Sequence, residues 1–108
     1  MYLIDLQQMD FIHPHLRAVL RWIESRFGFL LIVTSIFRIG DPGVHGTLPV
    51  RGIDLRCRIP SLGELITDIT NRHWKYDPDR PEMTVAKCHD TGRGLHLHIQ
   101  VHPNTYEV

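Results

Sequence analysis

The stretch Gly94-Leu95-His96-Leu97-His98-Ile99-Gln100-Val101-His102 alternates apolar and polar residues without a break from Leu95 to His102. That period of two is the signature of a half-buried β-strand, and it commits the chain to a sheet with one apolar and one polar face. Leu95, Leu97, Ile99 and Val101 are expected to enter a core, with His96, His98, Gln100 and His102 on the opposite face. Two imidazoles two residues apart on one strand face stand about 6.5–7 Å apart, close enough to serve one site. The plain alternative is a solvated face that happens to be His-rich. What lies upstream decides between them.

Composition narrows the options. A chain of 108 residues makes one domain, 1–108, with room for a modest core. Hydrophobic residues make up 43% and charged residues 22%, which suits a soluble globular protein. Twelve basic and twelve acidic side chains balance, so no polybasic footprint for nucleic acid is present. Histidine is the outlier: there are eight, five of them between His73 and His102, and His is the commonest metal ligand. The longest apolar run, Phe27 to Val33, is strand-sized, so no membrane insertion is expected. Asp5 and Asp10 stand where a secretory leader would be basic, which predicts synthesis in the cytoplasm without a signal peptide. Cys57 and Cys88 fall in predicted strands and read as buried free thiols, with a cross-strand disulfide as the alternative. Neither belongs to a CxxC pair of the kind that holds zinc through thiolates.

The rest of the chain reads as two helices and further strands. Leu16, Val19, Leu20, Ile23 and Phe27 recur at helical spacing, with Asp10 as N-cap, Pro14 in the opening turn and Gly28 as the stop. His13 and His15 read as surface residues of that helix start. Phe29 to Phe37 reads as a central strand buried on both faces, followed by a turn cluster at Ile39 to Gly43 and a loop through His45. Gly52 to Ile59 reads as a strand that turns Ile53, Leu55 and Cys57 one way and Asp54, Arg56 and Arg58 the other. An acid amid apolar strand neighbours calls for a reason, either a metal or a paired arginine. A second helix opens at Pro60-Ser61 with Leu62, Leu65, Ile66 and Ile69 as its stripe, and runs to about Trp74. Lys75 to Glu82 reads as a surface loop, and Met83 to His89 as a third strand. Thr91-Gly92-Arg93-Gly94 turns that strand back into the His-rich one. The fold class is therefore α+β, an antiparallel sheet with two helices packed against it.

A catalytic zinc needs three protein ligands and one open position. His45, Asp54 and His98 can supply a His₂–carboxylate set if the sheet sets their strands side by side. A general base must stand within hydrogen-bond reach of the attacking water. His96, on the face of His98, and Asp90, in the turn before the last strand, are the two candidates. Arg38, beside the His45 loop, can pair with a substrate carboxylate as a planar fork.

The run Ser35-Ile36-Phe37-Arg38, then His45, Gly52-Ile53-Asp54-Leu55 and His96-Leu97-His98 resembles the D-alanyl-D-alanine carboxypeptidase/L,D-endopeptidase group of zinc peptidases. That group shares its fold with the hedgehog signalling domain. The resemblance spans roughly Thr34 to Val101, and the small size is similar to compact members found in phages and prophages. It implies Zn²⁺ held by His45, Asp54 and His98, a substrate held by Arg38, and hydrolysis of peptidoglycan stem or cross-bridge peptides, acting at the cell wall after release. Two positions depart from the family pattern. His45 and Asp54 are nine positions apart, a longer spacing than usual, with the extra residues around Pro49-Val50-Arg51. Where the family places a catalytic glutamate a few residues before the last ligand, this chain has Thr91, Gly92, Arg93 and Gly94. A non-catalytic zinc module of the same fold, with a binding or virion-assembly role, is the alternative that this second departure leaves open. A metal-free interaction domain with an incidental His face is the third.

Overall fold

A computed structural model of the chain describes residues 2–3, 12–28, 31–35, 49–90 and 94–108. The elements are β1 (Tyr2–Leu3), α1 (Pro14–Phe27), β2 (Leu31–Ser35), β3 (Gly52–Arg56), α2 (Pro60–His73), β4 (Trp74–Lys75), β5 (Ala86–Asp90), β6 (Leu95–Gln100) and β7 (Tyr106–Glu107). Five strands form one sheet in the order β1-β2-β3-β6-β5, and β4 pairs with β7 in a small second sheet. The architecture is α+β, as the patterning predicts. The main sheet is antiparallel from β2 to β5, while β1 lies parallel to β2. The middle position belongs to β3 rather than to the strand read over 29–37, whose described part is Leu31–Ser35 between β1 and β3.

The His-rich alternation becomes a two-faced strand. Leu97, Ile99 and Val101 are fully buried and meet Ile53 and Leu55, also fully buried, in one core. Each such side chain contributes about 1.5–3 kcal/mol by leaving water. Both helices cover this face: Leu16, Val19, Leu20 and Ile23 of α1 and Ile66 of α2 belong to the same core. The polar residues of β3 and β6 are left on the other side of the sheet.

Local chemistry fixes the helix ends, with corrections to the sequence reading. Helix α1 starts at Pro14, so its cap is His13 and not Asp10. The His13 Nδ1 accepts from the His15 backbone N–H at 3.1 Å, the role that an Asn or Asp oxygen usually plays. Gly28 closes the helix at φ 67°, and its N–H donates to the Glu24 carbonyl at 2.9 Å. Helix α2 presents Gly63, Ile66 and Thr70 to the core, while Leu65, expected in the apolar stripe, is 49% exposed. The reason is Gly63. A Cβ there would stand 2.7 Å from Cys88 Sγ and 3.2 Å from Cys57 Sγ, so the missing side chain lets the helix settle over both thiols. Both cysteines are free, and burial, reinforced by Cys57 and Glu64, pushes the Cys88 thiol up.

The segment read as a surface loop, Lys75 to Glu82, is partly built in. Lys75 belongs to β4, and Tyr76 and Asp77 are buried. Thr105 Oγ1 donates to the Tyr76 carbonyl at 2.8 Å. The Asp77 carboxylate accepts from the Asp79 N–H at 3.0 Å and lies 3.4 Å from Arg80 Nε. The Asp79 N–H, with His102, Asn104 and Arg80 adding to it, holds the Asp77 carboxyl below its ordinary value.

Candidate metal and catalytic face

Register brings the sequence-predicted residues together row by row. Asp54 of β3 is paired with His98 of β6, and His98 with Lys87 of β5. One pleat along, Arg56 is paired with His96, and His96 with His89. Directly paired residues of antiparallel strands share a face. Asp54, Arg56, Lys87, His89, His96, His98 and Gln100 therefore stand on the face opposite Ile53, Leu55, Leu97 and Ile99 of the core.

Hydrogen bonds define how the two central side chains are held. The His98 Nδ1–H donates to Asp54 Oδ1 at 2.8 Å, with both side chains more than four-fifths buried. On the other side of the ring, His98 Nε2 lies 3.2 Å from Gln100 Oε1. The Gln100 amide is not free to turn, because its Nε2 donates to the Thr84 carbonyl at 3.0 Å. His98 thus sits between the Asp54 carboxylate and the Gln100 amide.

His96 is set differently. Its Nδ1–H donates to the Gly94 carbonyl at 2.9 Å, which orients the ring and turns Nε2 away from that bond. A neutral imidazole with an available Nε2 is what a general base requires. Asp90, the other candidate, is the last residue of β5, paired with Leu95, not a turn residue. Strand alternation puts Asp90 on the helix side of the sheet, with Ala86 and Cys88, and away from His98. His45 and Arg38 lie outside the described residues.

His89 is the residue that sequence reasoning missed. Its ring centroid lies 6.1 Å from that of His98. The signal was available: folding the hairpin so that Cys88 and Leu97 share the core face puts His89 beside His96. His102, by contrast, belongs to the packing of the C-terminal turn. Its Nδ1 accepts from the Asn104 N–H at 3.1 Å, and its ring lies against Tyr76 with centroids 5.6 Å apart.

The donors fit part of a zinc site. Asp54 and His98 offer an oxygen and a nitrogen that point at each other. Two ligands at about 2.0–2.1 Å from a tetrahedral ion stand about 3.3 Å apart, so the pair would open by about half an ångström. Among the described residues no three His, Cys, Asp or Glu side chains converge as a complete set. No helix among them is long and apolar enough to cross a membrane. Comparisons with protein-family models, with curated proteins and with solved structures give no match.

Proposed function

We propose that the chain is a zinc-dependent peptidase that hydrolyses peptidoglycan stem or cross-bridge peptides. The observation that carries this reading is the Asp54–His98 contact at 2.8 Å on the polar face of the sheet, one pleat from an oriented His96. Asp54 and His98 would hold the ion with His45 as third ligand, in a fold of the D-alanyl-D-alanine carboxypeptidase type. Bound there, zinc would polarise a peptide carbonyl and acidify a water. His96 Nε2 would serve as the general base toward an attacking water and return the proton to the leaving amine. Gln100, locked by Thr84, keeps the His98 ring in the plane that faces Asp54. Arg38 clamps a substrate carboxylate.

A second reading is a non-catalytic zinc module of the same fold. One observation favours it: of β3, β5 and β6, the polar face carries no carboxylate besides Asp54, so nothing on these strands replaces the family's glutamate. The experiment that tests the proposal is hydrolysis of purified peptidoglycan and of a synthetic stem peptide by wild type, His96→Ala and Asp90→Ala, each assayed for zinc. Zinc-replete His96→Ala is expected to be inactive and Asp90→Ala active. Activity lost only in Asp90→Ala reverses the base assignment. A zinc-loaded wild type that is inert on both substrates favours the module.

A further inference from the structure

A cleft of about 470 Å³ opens beside His96, lined by Arg56, Cys57, Arg58, Gly94 and Leu95 as well. Its charge is one-signed: among the described residues no carboxylate lines it. Arg56 ends β3 opposite His96, and Arg58, two residues further along, lines the same cleft. Both residues are exposed, and neither forms a salt bridge with a described residue. Two neighbouring cations with no carboxylate beside them make a local positive potential that favours an anion. A guanidinium is weakly hydrated and presents a planar fork of donors that matches a carboxylate.

We propose that this cleft is a binding subsite for a carboxylate of a peptide ligand, gripped by Arg56 and Arg58 and walled by His96. The register fixes where that carboxylate sits. Arg56 is one pleat from Asp54, about 7 Å along the strand, and an extended peptide covers the same distance in two residues. A peptide whose reacting carbonyl lies at Asp54 and His98 thus places an acidic group about two residues away in the cleft. For this position along the ligand the inference rests on the peptidase reading; the affinity for a carboxylate does not.

The test is an NMR titration of the full chain without added zinc, following the arginine Nε–H signals. The probes are an N-acetylated tripeptide with a free C-terminal carboxylate, its C-terminal amide, and inorganic phosphate. The carboxylate peptide is expected to saturate, with the amide and the Arg56→Gln/Arg58→Gln double variant each weaker by about tenfold or more. Both substitutions are at exposed positions, and an unchanged melting temperature verifies that the variant is folded. Saturation by phosphate but not by the peptide overturns the carboxylate assignment. No saturation by any probe, or equal binding to the double variant, overturns the subsite. None of these readouts depends on zinc or on turnover, so failure here and failure of the peptidase reading are told apart.

Discussion

His98 donates from Nδ1 to Asp54 across the β3–β6 pair, while His102, two pleats further along the same strand direction, turns its Nδ1 to the backbone of its own loop. The two histidines therefore differ in what they lose on truncation. On the proposed zinc site, His98→Ala is expected to abolish zinc binding, and Asp54→Ala likewise, since each would remove one of the three proposed ligands. His102→Ala is expected to keep the metal and instead lose about 1–2 kcal/mol of stability, through the Asn104 N–H and the Asp77 contact. Elemental analysis with a urea melt of each variant measures both quantities. Equal zinc in His98→Ala and His102→Ala removes His98 from the site.

Strand β5 is the sheet edge, and α2 fastens its start. Asn71 Nδ2 donates to the Ala86 carbonyl at 2.9 Å, and the Ala86 N–H donates to Asn71 Oδ1 at 2.8 Å. One side-chain amide thus copies the paired bonds of a neighbouring strand. Asn71→Leu is expected to cost about 1–3 kcal/mol, because it leaves the buried Ala86 N–H without its partner and its carbonyl with Thr84 Oγ1 as remaining donor at 3.1 Å. Asn71→Asp is expected to cost nearly as much, since a second oxygen then faces the Ala86 carbonyl. Melts of both variants check this; an Asn71→Asp chain as stable as wild type would show that the amide donor carries no weight.

What the sequence makes legible follows from period and parity. The two-residue alternation of β6 and of β3 predicts which side chains are buried, and the structure buries Ile53, Leu55, Cys57, Leu97 and Ile99 as that pattern requires. It also predicts that Asp54 and His98 share a face, but only strand order makes them neighbours, and that order is a long-range property. Parity errs where one residue overrides it. Gly63 rotates α2 so that Leu65 faces solvent, because helix-to-sheet distance counts for more than one leucine. Charge misleads at Asp77, which reads as a loop residue yet is buried by bonds from the Asp79 N–H and from Arg80. His89 escapes a strand-by-strand reading because its importance appears only when β5 is folded onto β6.

Gly63 gives a further prediction. Alanine in place of glycine inside a helix gains about 1 kcal/mol from propensity alone. Here the new Cβ would meet Cys88 Sγ at 2.7 Å and Cys57 Sγ at 3.2 Å, closer than such atoms approach. Overpacking of this sort costs about 1–3 kcal/mol, so Gly63→Ala is expected to be destabilising overall. In a Cys88→Ala background the nearer sulfur is gone, and the same substitution is expected to cost less or to stabilise. A double-mutant cycle read by urea unfolding measures the coupling. Additive effects would mean that the sulfurs give way freely and that Gly63 is not what sets the helix position.

The last prediction concerns the cap of α1 and its dependence on pH. His13 Nδ1 accepts the His15 N–H, so the cap exists only while that nitrogen is unprotonated. Burial holds the His13 pKa below its ordinary value of 6.5, and the positive charges of His15, Arg51 and Arg17 push the same way. The folded chain therefore binds this proton less readily than the unfolded one. The contribution is fully present above the unfolded value near 6.5 and is lost as pH falls from there through the lowered folded value. Asparagine caps as well and does not titrate. Above about pH 8, His13→Asn is expected to melt like wild type, with His13→Ala weaker by about 0.5–2 kcal/mol. On acidification to about pH 5, wild type is expected to fall toward His13→Ala while His13→Asn keeps its lead. Urea melts of the three chains across that range decide it. A gap between wild type and His13→Asn that stays constant with pH would show that His13 does not couple the helix start to protonation.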